Sequence, residues 1–132
     1  MTKTIARLEH VNITVSDPQR SADLMCSLFG WHIRWQGPSM MGGHTIHVGS
    51  DDHYLALYTN GDVQTANDGA GLTYQKGQPM NHVAMTVDDL DAVEAGVKEA
   101  GLVPFGHDNY DPGRRFYFFD WNGIEFEVVM YG

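Results

Sequence analysis

Three residues with metal-binding side chains, His10, His82 and Glu127, fall at corresponding places in a repeat that runs through the chain. The segment His10-Val-Asn-Ile-Thr-Val-Ser-Asp17 returns 72 residues later as His82-Val-Ala-Met-Thr-Val-Asp-Asp89, with His, Val, Thr, Val and Asp identical. The valines carry little weight, because strands favour Val. A His at the head of both copies carries more. A two-fold-like arrangement of copies brings two imidazoles to one place, and imidazole is the commonest protein ligand of divalent metals. The ends of the copies align too, Tyr54-Leu-Ala-Leu-Tyr-Thr-Asn-Gly61 over Glu125-Phe-Glu-Val-Val-Met-Tyr-Gly132, at an offset of 71. Leu55 matches Phe126 and Leu57 matches Val128 as inward-facing residues, so the other face carries His10 and Ala56 in one copy, His82 and Glu127 in the next. Two neutral imidazoles and one carboxylate suit a single divalent ion (iron, manganese, nickel or zinc) and leave positions open for substrate or water. Ala56 is the departure, since a methyl group neither ligates nor accepts a proton. Glu125, Tyr58 or His107 would then serve as base, or Tyr54 or His53 would supply a fourth ligand from a neighbouring register.

The elements that position these residues follow from periodicity and punctuation. Residues 5–15 read as a strand, with Leu8, His10, Asn12 and Thr14 on one face and Glu9, Val11, Ile13 and Val15 on the other. Asp17-Pro18 opens a helix as N-cap and first helical residue; Ala22, Met25, Cys26, Leu28 and Phe29 form its apolar side, and Gly30 ends it. Strands at 31–36, 44–49 and 54–59 are separated by Gly37-Pro38, Gly42-Gly43 and Ser50-Asp51-Asp52. The second copy repeats the order. It has a strand at 81–87, a helix from about Asp88 to Ala100 burying Leu90, Val93, Val97 and Ala100, and strands at about 102–107, 114–119 and 124–130. Asp111-Pro112-Gly113 and Trp121-Asn122-Gly123 break those strands. Amphipathic strands with a helix over one face predict an α+β architecture of two βαβββ modules, at about 5–60 and 81–131. The polar stretch 60–79 places a linker, or a lid, at about 61–80.

Size and charge exclude several functions. A chain of 132 residues is a single domain's worth, and 42% hydrophobic with 19% charged residues reads as globular. A net charge of −9 argues against nucleic acid as a partner, because phosphate backbones require a basic footprint. No apolar run is of membrane-spanning length, and the N-terminus lacks the apolar core of a secretory signal. Cys26 is the only cysteine, so no intrachain disulfide forms and a reducing cytoplasm is the expected compartment.

The repeated βαβββ halves, each opening with a His, resemble the vicinal oxygen chelate superfamily. This group includes lactoylglutathione lyase, methylmalonyl-CoA epimerase, fosfomycin-resistance thiol transferases, extradiol dioxygenases and bleomycin-resistance proteins. The likeness covers nearly the whole chain. It is most specific at Phe116-Tyr-Phe-Phe-Asp-Trp-Asn-Gly-Ile-Glu-Phe-Glu127, which resembles the family's aromatic strand, Asp-Pro-x-Gly turn and ligand-bearing last strand, with Trp121 in place of the usual Pro. The resemblance implies paired modules forming a cup-shaped sheet, His10, His82 and Glu127 as metal ligands, and a homodimer with the cup shared between subunits. It implies a small oxygen-rich substrate chelated to the metal, with a dioxygenase or glyoxalase-like lyase as the enzyme. Ala56 stands where the lyase and epimerase carry Glu or Gln, which favours a three-ligand set. The rival implication is a drug-binding protein of the bleomycin-resistance type, without chemistry.

Other residues fill supporting roles. By the resemblance, Tyr117 is a cup-facing hydrogen-bond donor; its plainer reading is aromatic packing beside Phe116, Phe118 and Phe119. Arg114 and Arg115 read as rim charges, with Arg115 the one available to an acidic substrate group. His107 is a strand-end His or an acid–base group near the cup. Asn12 and Thr14 share the His10 face and are candidates for substrate contact, as is Tyr58. His44 and His47 lie three apart on a strand, so they point to opposite faces and are set aside as ligands. Trp31 and Trp35 are expected in core packing, and Met40-Met41-Gly42-Gly43 as a flexible rim.

Overall fold

The structure, a computed structural model, describes residues 8–60, 82–110 and 113–132. The expected linker or lid at about 61–80, the first residues of the opening strand and the Asp111-Pro112 turn lie outside the described residues. The chain divides into two compact units, Met1–Val63 and Gln64–Gly132.

The first unit runs β1 (His10–Thr14), α1 (Pro18–Phe29), β2 (His32–Pro38), β3 (His44–Gly49) and β4 (Tyr54–Thr59), with one 3₁₀ turn at Met40–Gly42. Its sheet has the order β1-β4-β3-β2; β1 lies parallel to β4 and the other pairs are antiparallel. The second unit runs β5 (Val83–Thr86), α2 (Leu90–Glu99), β6 (Phe105–Tyr110), β7 (Gly113–Phe119) and β8 (Glu125–Tyr131), in the matching order β5-β8-β7-β6. Both are βαβββ modules, as the repeat predicts.

In each unit the helix covers one face of the sheet and the buried side chains lie between. Ile46, Val48, Leu55 and Leu57 meet Ala22, Met25 and Leu28 of α1, with Ile13 buried beside Leu57; Phe116, Phe118, Phe126 and Val128 meet Leu90, Val93 and Val97 of α2. Burying each of the larger side chains contributes about 1.5–3 kcal/mol. The helix faces differ slightly from expectation. Ser21 and Leu24 are buried on α1 while Cys26 and Phe29 are half-buried, and Ala100 is half-buried at the end of α2.

Both helices start at the repeated aspartate. Asp17 accepts from the Arg20 amide and Asp89 from the Ala92 amide, each at 3.1 Å. Gly30, at φ 69°, closes α1 with a single bond to the Cys26 carbonyl. After α2, Gly101 at φ 83° permits a double closure, Gly101 N–H to Lys98 and Leu102 N–H to Val97. That closure uses the Leu102 amide, so β6 begins at Phe105 rather than near 102. Trp121, where the resemblance expects Pro, sits in a turn held by buried Asp120. The Asp120 carboxylate accepts from the Asn122 and Ile124 amides at 2.9 Å each. No helix among the described residues is long and apolar enough to cross a membrane. Asp89→Ala should lower stability by about 1 kcal/mol. In urea titrations this appears as a lower midpoint with an unchanged slope.

Candidate functional site

Glu125 and Glu127 alternate with Phe126 and Val128 on β8. Since the latter take the α2 side, both carboxylates turn to the opposite face, where they are buried. Tyr117 and Arg115 join them from β7, because Tyr117 pairs with Glu127 and Arg115 with Val129. His82 immediately precedes β5, the neighbour of β8 on its other side. The Glu127 carboxylate is held at both oxygens. Arg115 Nη1 donates to Oε2 at 2.7 Å, and His82 Nε2 lies 3.0 Å from Oε1. His82 Nδ1 makes no hydrogen bond and lies 3.9 Å from a Glu125 oxygen. The Tyr117 ring meets the imidazole edge-on, centroids 5.7 Å apart.

Arg115 therefore is not a rim charge. Alternation along β7 sends its neighbour Arg114 to the α2 side, onto Asp91 at 3.0 Å, and sends Arg115 inward, where it is 12% exposed. The buried carboxylate of Glu127 is thus compensated by a protein cation. His107 also departs from the catalytic role. A bulge between Phe105 and Asp108 turns it to the α2 side, where Nε2 pairs with Glu94 at 2.8 Å and the ring stacks on Phe116. The structure does not bring it to the face of Glu127.

In the first unit the open face is built from rings. His10 stacks on Tyr54 at 4.8 Å, Tyr54 on His47 at 4.5 Å, and His47 meets Trp35 at 5.0 Å, one ring per strand across the sheet. Ala56 is buried opposite His47 and Asn12; Tyr58 follows opposite Thr14, and Asn12 is exposed. Tyr54 takes the place that Glu125 takes in the second unit, and Ala56 that of Glu127. By the same register His47 corresponds to Tyr117 and Trp35 to Phe105. His47 is the residue that sequence reasoning passed over. It does lie opposite in direction to His44, but its pairing with Ala56 puts it on the His10 face. Tyr54 stands between the two imidazoles. Burial holds the His47 imidazole below its ordinary value of 6.5; His10 and Arg34 add to this and Glu9 opposes it. Trp35 is not core: a bulge at Arg34 reverses the alternation, and the indole is 48% exposed. Trp31 instead packs on Phe29 and His53.

His82 Nε2 and Glu127 Oε1 lie 3.0 Å apart, a hydrogen-bond distance that brings together an imidazole nitrogen and a carboxylate oxygen, two donor types that divalent ions take. His10 Nδ1 lies 2.8 Å from a Glu9 carboxylate oxygen, which only accepts, so Nδ1 is the donor; in a neutral imidazole this leaves the lone pair on Nε2. Among the described residues, no three His, Cys, Asp or Glu side chains form a group that could hold a metal.

A sequence model of the Glyoxalase/Bleomycin resistance protein/Dioxygenase superfamily matches residues 7–128. No curated protein matches the sequence. Among solved structures, a glyoxylase/bleomycin resistance protein/dioxygenase domain from Frankia sp. EAN1pec is 18% identical, with a TM-score of 0.79 over 98% of this chain and 100% of that one. The trypanothione-dependent glyoxalase I of Leishmania major is 18% identical, with a TM-score of 0.74 over 96% and 87%. The fosfomycin resistance protein FosX of Listeria monocytogenes, complexed with Mn(II) and sulfate, is 14% identical, with a TM-score of 0.71 over 98% and 95%. At these identities the likeness is one of fold.

Arg115→Met should cost about 3 kcal/mol in unfolding free energy, because it strips Glu127 of its cation. Adding Glu127→Gln should restore much of that loss; no recovery in the double variant would mean that the pair is not the source. For His47 the folded-state value lies below the unfolded one, so its contribution is present above about pH 6.5 and is lost as pH falls through the lowered value. His47→Phe, which keeps a ring in the stack, should flatten the decline of the urea midpoint on the acid side.

Proposed function

The chain belongs to the Glyoxalase/Bleomycin resistance protein/Dioxygenase superfamily, and on that premise we propose that it is a divalent-metal-dependent enzyme acting on a small, oxygen-rich organic substrate. His10, His82 and Glu127 are the proposed ligands. The observation that carries this reading is the 3.0 Å approach of His82 Nε2 to a Glu127 oxygen whose partner oxygen Arg115 already neutralises. Such an arrangement supports one carboxylate oxygen on a metal and the other on a guanidinium, a second contact of the kind that orients metal ligands. Glu9 supports the same role at His10 by fixing the proton on Nδ1. A divalent ion there would supply Lewis acidity toward two substrate oxygens and, if iron, dioxygen activation.

The remaining residues have roles that follow from their positions. Glu125 is buried on the same face, two residues before Glu127, and is the proposed base that takes a proton from the bound substrate. Tyr117 packs its ring against the edge of His82 and holds the imidazole plane. Asn12 and Tyr58, on the face of His10, are proposed substrate contacts. With Ala56 in place of a carboxylate, the dioxygenase reading is favoured over a glyoxalase-like lyase. The resemblance further implies a homodimer, and the single cysteine suits a reducing cytoplasm.

One observation favours a second reading. The Arg115 guanidinium is itself a counter-charge for Glu127, so the face also suits a protein that sequesters a ligand, as bleomycin-resistance proteins do. Elemental analysis separates the two. The enzyme reading expects roughly one iron, manganese, nickel or zinc per site in protein purified without added metal, lost in His82→Ala and Glu127→Gln. No bound metal after reconstitution with each ion, together with tight ligand binding that His82→Ala leaves unchanged, would establish sequestration. Oxygen uptake with catechols supports the dioxygenase; turnover of a hemithioacetal without oxygen uptake supports the lyase.

A further inference from the structure

The bulge between Ile33 and Trp35 turns two consecutive residues, Arg34 and Trp35, to the face of His10. In a regular strand one of them would point to the α1 side. The Arg34 guanidinium carbon lies 4.5 Å over the Tyr54 ring, and Nη1 donates to the Ser50 carbonyl at 3.0 Å. Among the described residues Arg34 pairs with no carboxylate, whereas Lys98, Arg114 and Arg115 each do. This in a chain of net charge −9 is an uncompensated cation, clamped at one donor, with the rest of its fork able to receive a carboxylate. Beside it the Trp35 indole is half-exposed yet held in place. It lies against Gly37, where a Cβ would come within 2.9 Å of Cζ2, and against His47. A fixed, half-exposed indole offers a planar surface on which a conjugated ring would bury apolar area.

We propose that Arg34 and Trp35 form a subsite for an aromatic carboxylate, with the carboxylate on the guanidinium and the ring on the indole. As the substrate class of the metal site this rests on the enzyme reading above; as a binding site it stands without it. The stack from Trp35 through His47 and Tyr54 to His10 puts the subsite and one proposed ligand on a single sheet.

Titration calorimetry on the full chain, both metal-stripped and metal-loaded, tests this with three probes: 3,4-dihydroxybenzoate, catechol and cyclohexanecarboxylate. The carboxylated ring should bind the wild type more than about tenfold tighter than catechol, the gain expected of a charge-assisted contact. Arg34→Gln should abolish that difference, and Arg34→Lys, which keeps the charge but not the fork, should leave part of it. Trp35→Leu should weaken dihydroxybenzoate and leave cyclohexanecarboxylate unchanged. Equal binding of catechol and dihydroxybenzoate, or Arg34 variants that fold with wild-type urea midpoints and bind normally, would overturn the subsite. Arg34-dependent binding in a protein that takes up no metal would keep the subsite and remove the enzyme reading. A metal-bearing protein indifferent to Arg34 would do the reverse.

Discussion

A helix packed on one face of a four-stranded sheet leaves the other face to the polar side chains, except where one reaches the helix's own charged residues, as Arg114 and His107 do. The candidate site follows from that division. Phe126 and Val128 take the α2 side, so Glu125 and Glu127 must leave it; Leu55 and Leu57 take the α1 side, so Tyr54 and Ala56 must leave it. The apolar alternation that stabilises each module is the same alternation that gathers the charged and aromatic groups. A change of parity in any of these strands would expose the core and bury the site together.

The two open faces solve the resulting electrostatic problem differently. In the second unit carboxylates are buried, and a guanidinium at 2.7 Å with an imidazole at 3.0 Å meets the one on Glu127. In the first unit the equivalent places hold Tyr54 and Ala56, and the face is lined by stacked rings that need no counter-charge. Glu9 and Arg34 bring charge to that face only at its margins, one against His10 and one over Tyr54.

Much of this was legible in the sequence. The repeated His and Asp set the modules in register, and both repeated aspartates, Asp17 and Asp89, are helix caps because a carboxylate before an apolar helical pattern satisfies an orphan amide. The face of Glu127 followed from counting by twos. Where counting by twos failed, an extra residue had been inserted: Trp35 and His107 both lie beside bulges, and nothing about Arg34 or Gly106 in the linear sequence announces a register shift. Arg115 departs from expectation for another reason. Its parity with Tyr117 was available, but nearness to the Asp-Pro-Gly turn suggested a solvent-facing rim. His47 needed the pairing of β3 with β4, which only three-dimensional register supplies.

The two bulges bend equivalent strands at different places. By cross-strand pairing Trp35 and Phe105 are equivalent, yet the surplus residue precedes Trp35 in one strand and follows Phe105 in the other. A surplus residue kinks its strand and re-aims the side chains beside it. In the first unit the kink carries Arg34, whose guanidinium reaches over Tyr54; in the second it lies next to Gly106, whose missing side chain leaves room for the Tyr117 ring. One strand order thus presents an exposed indole at Trp35 and, at the matching place, a phenyl ring stacked on Tyr117 and Phe119.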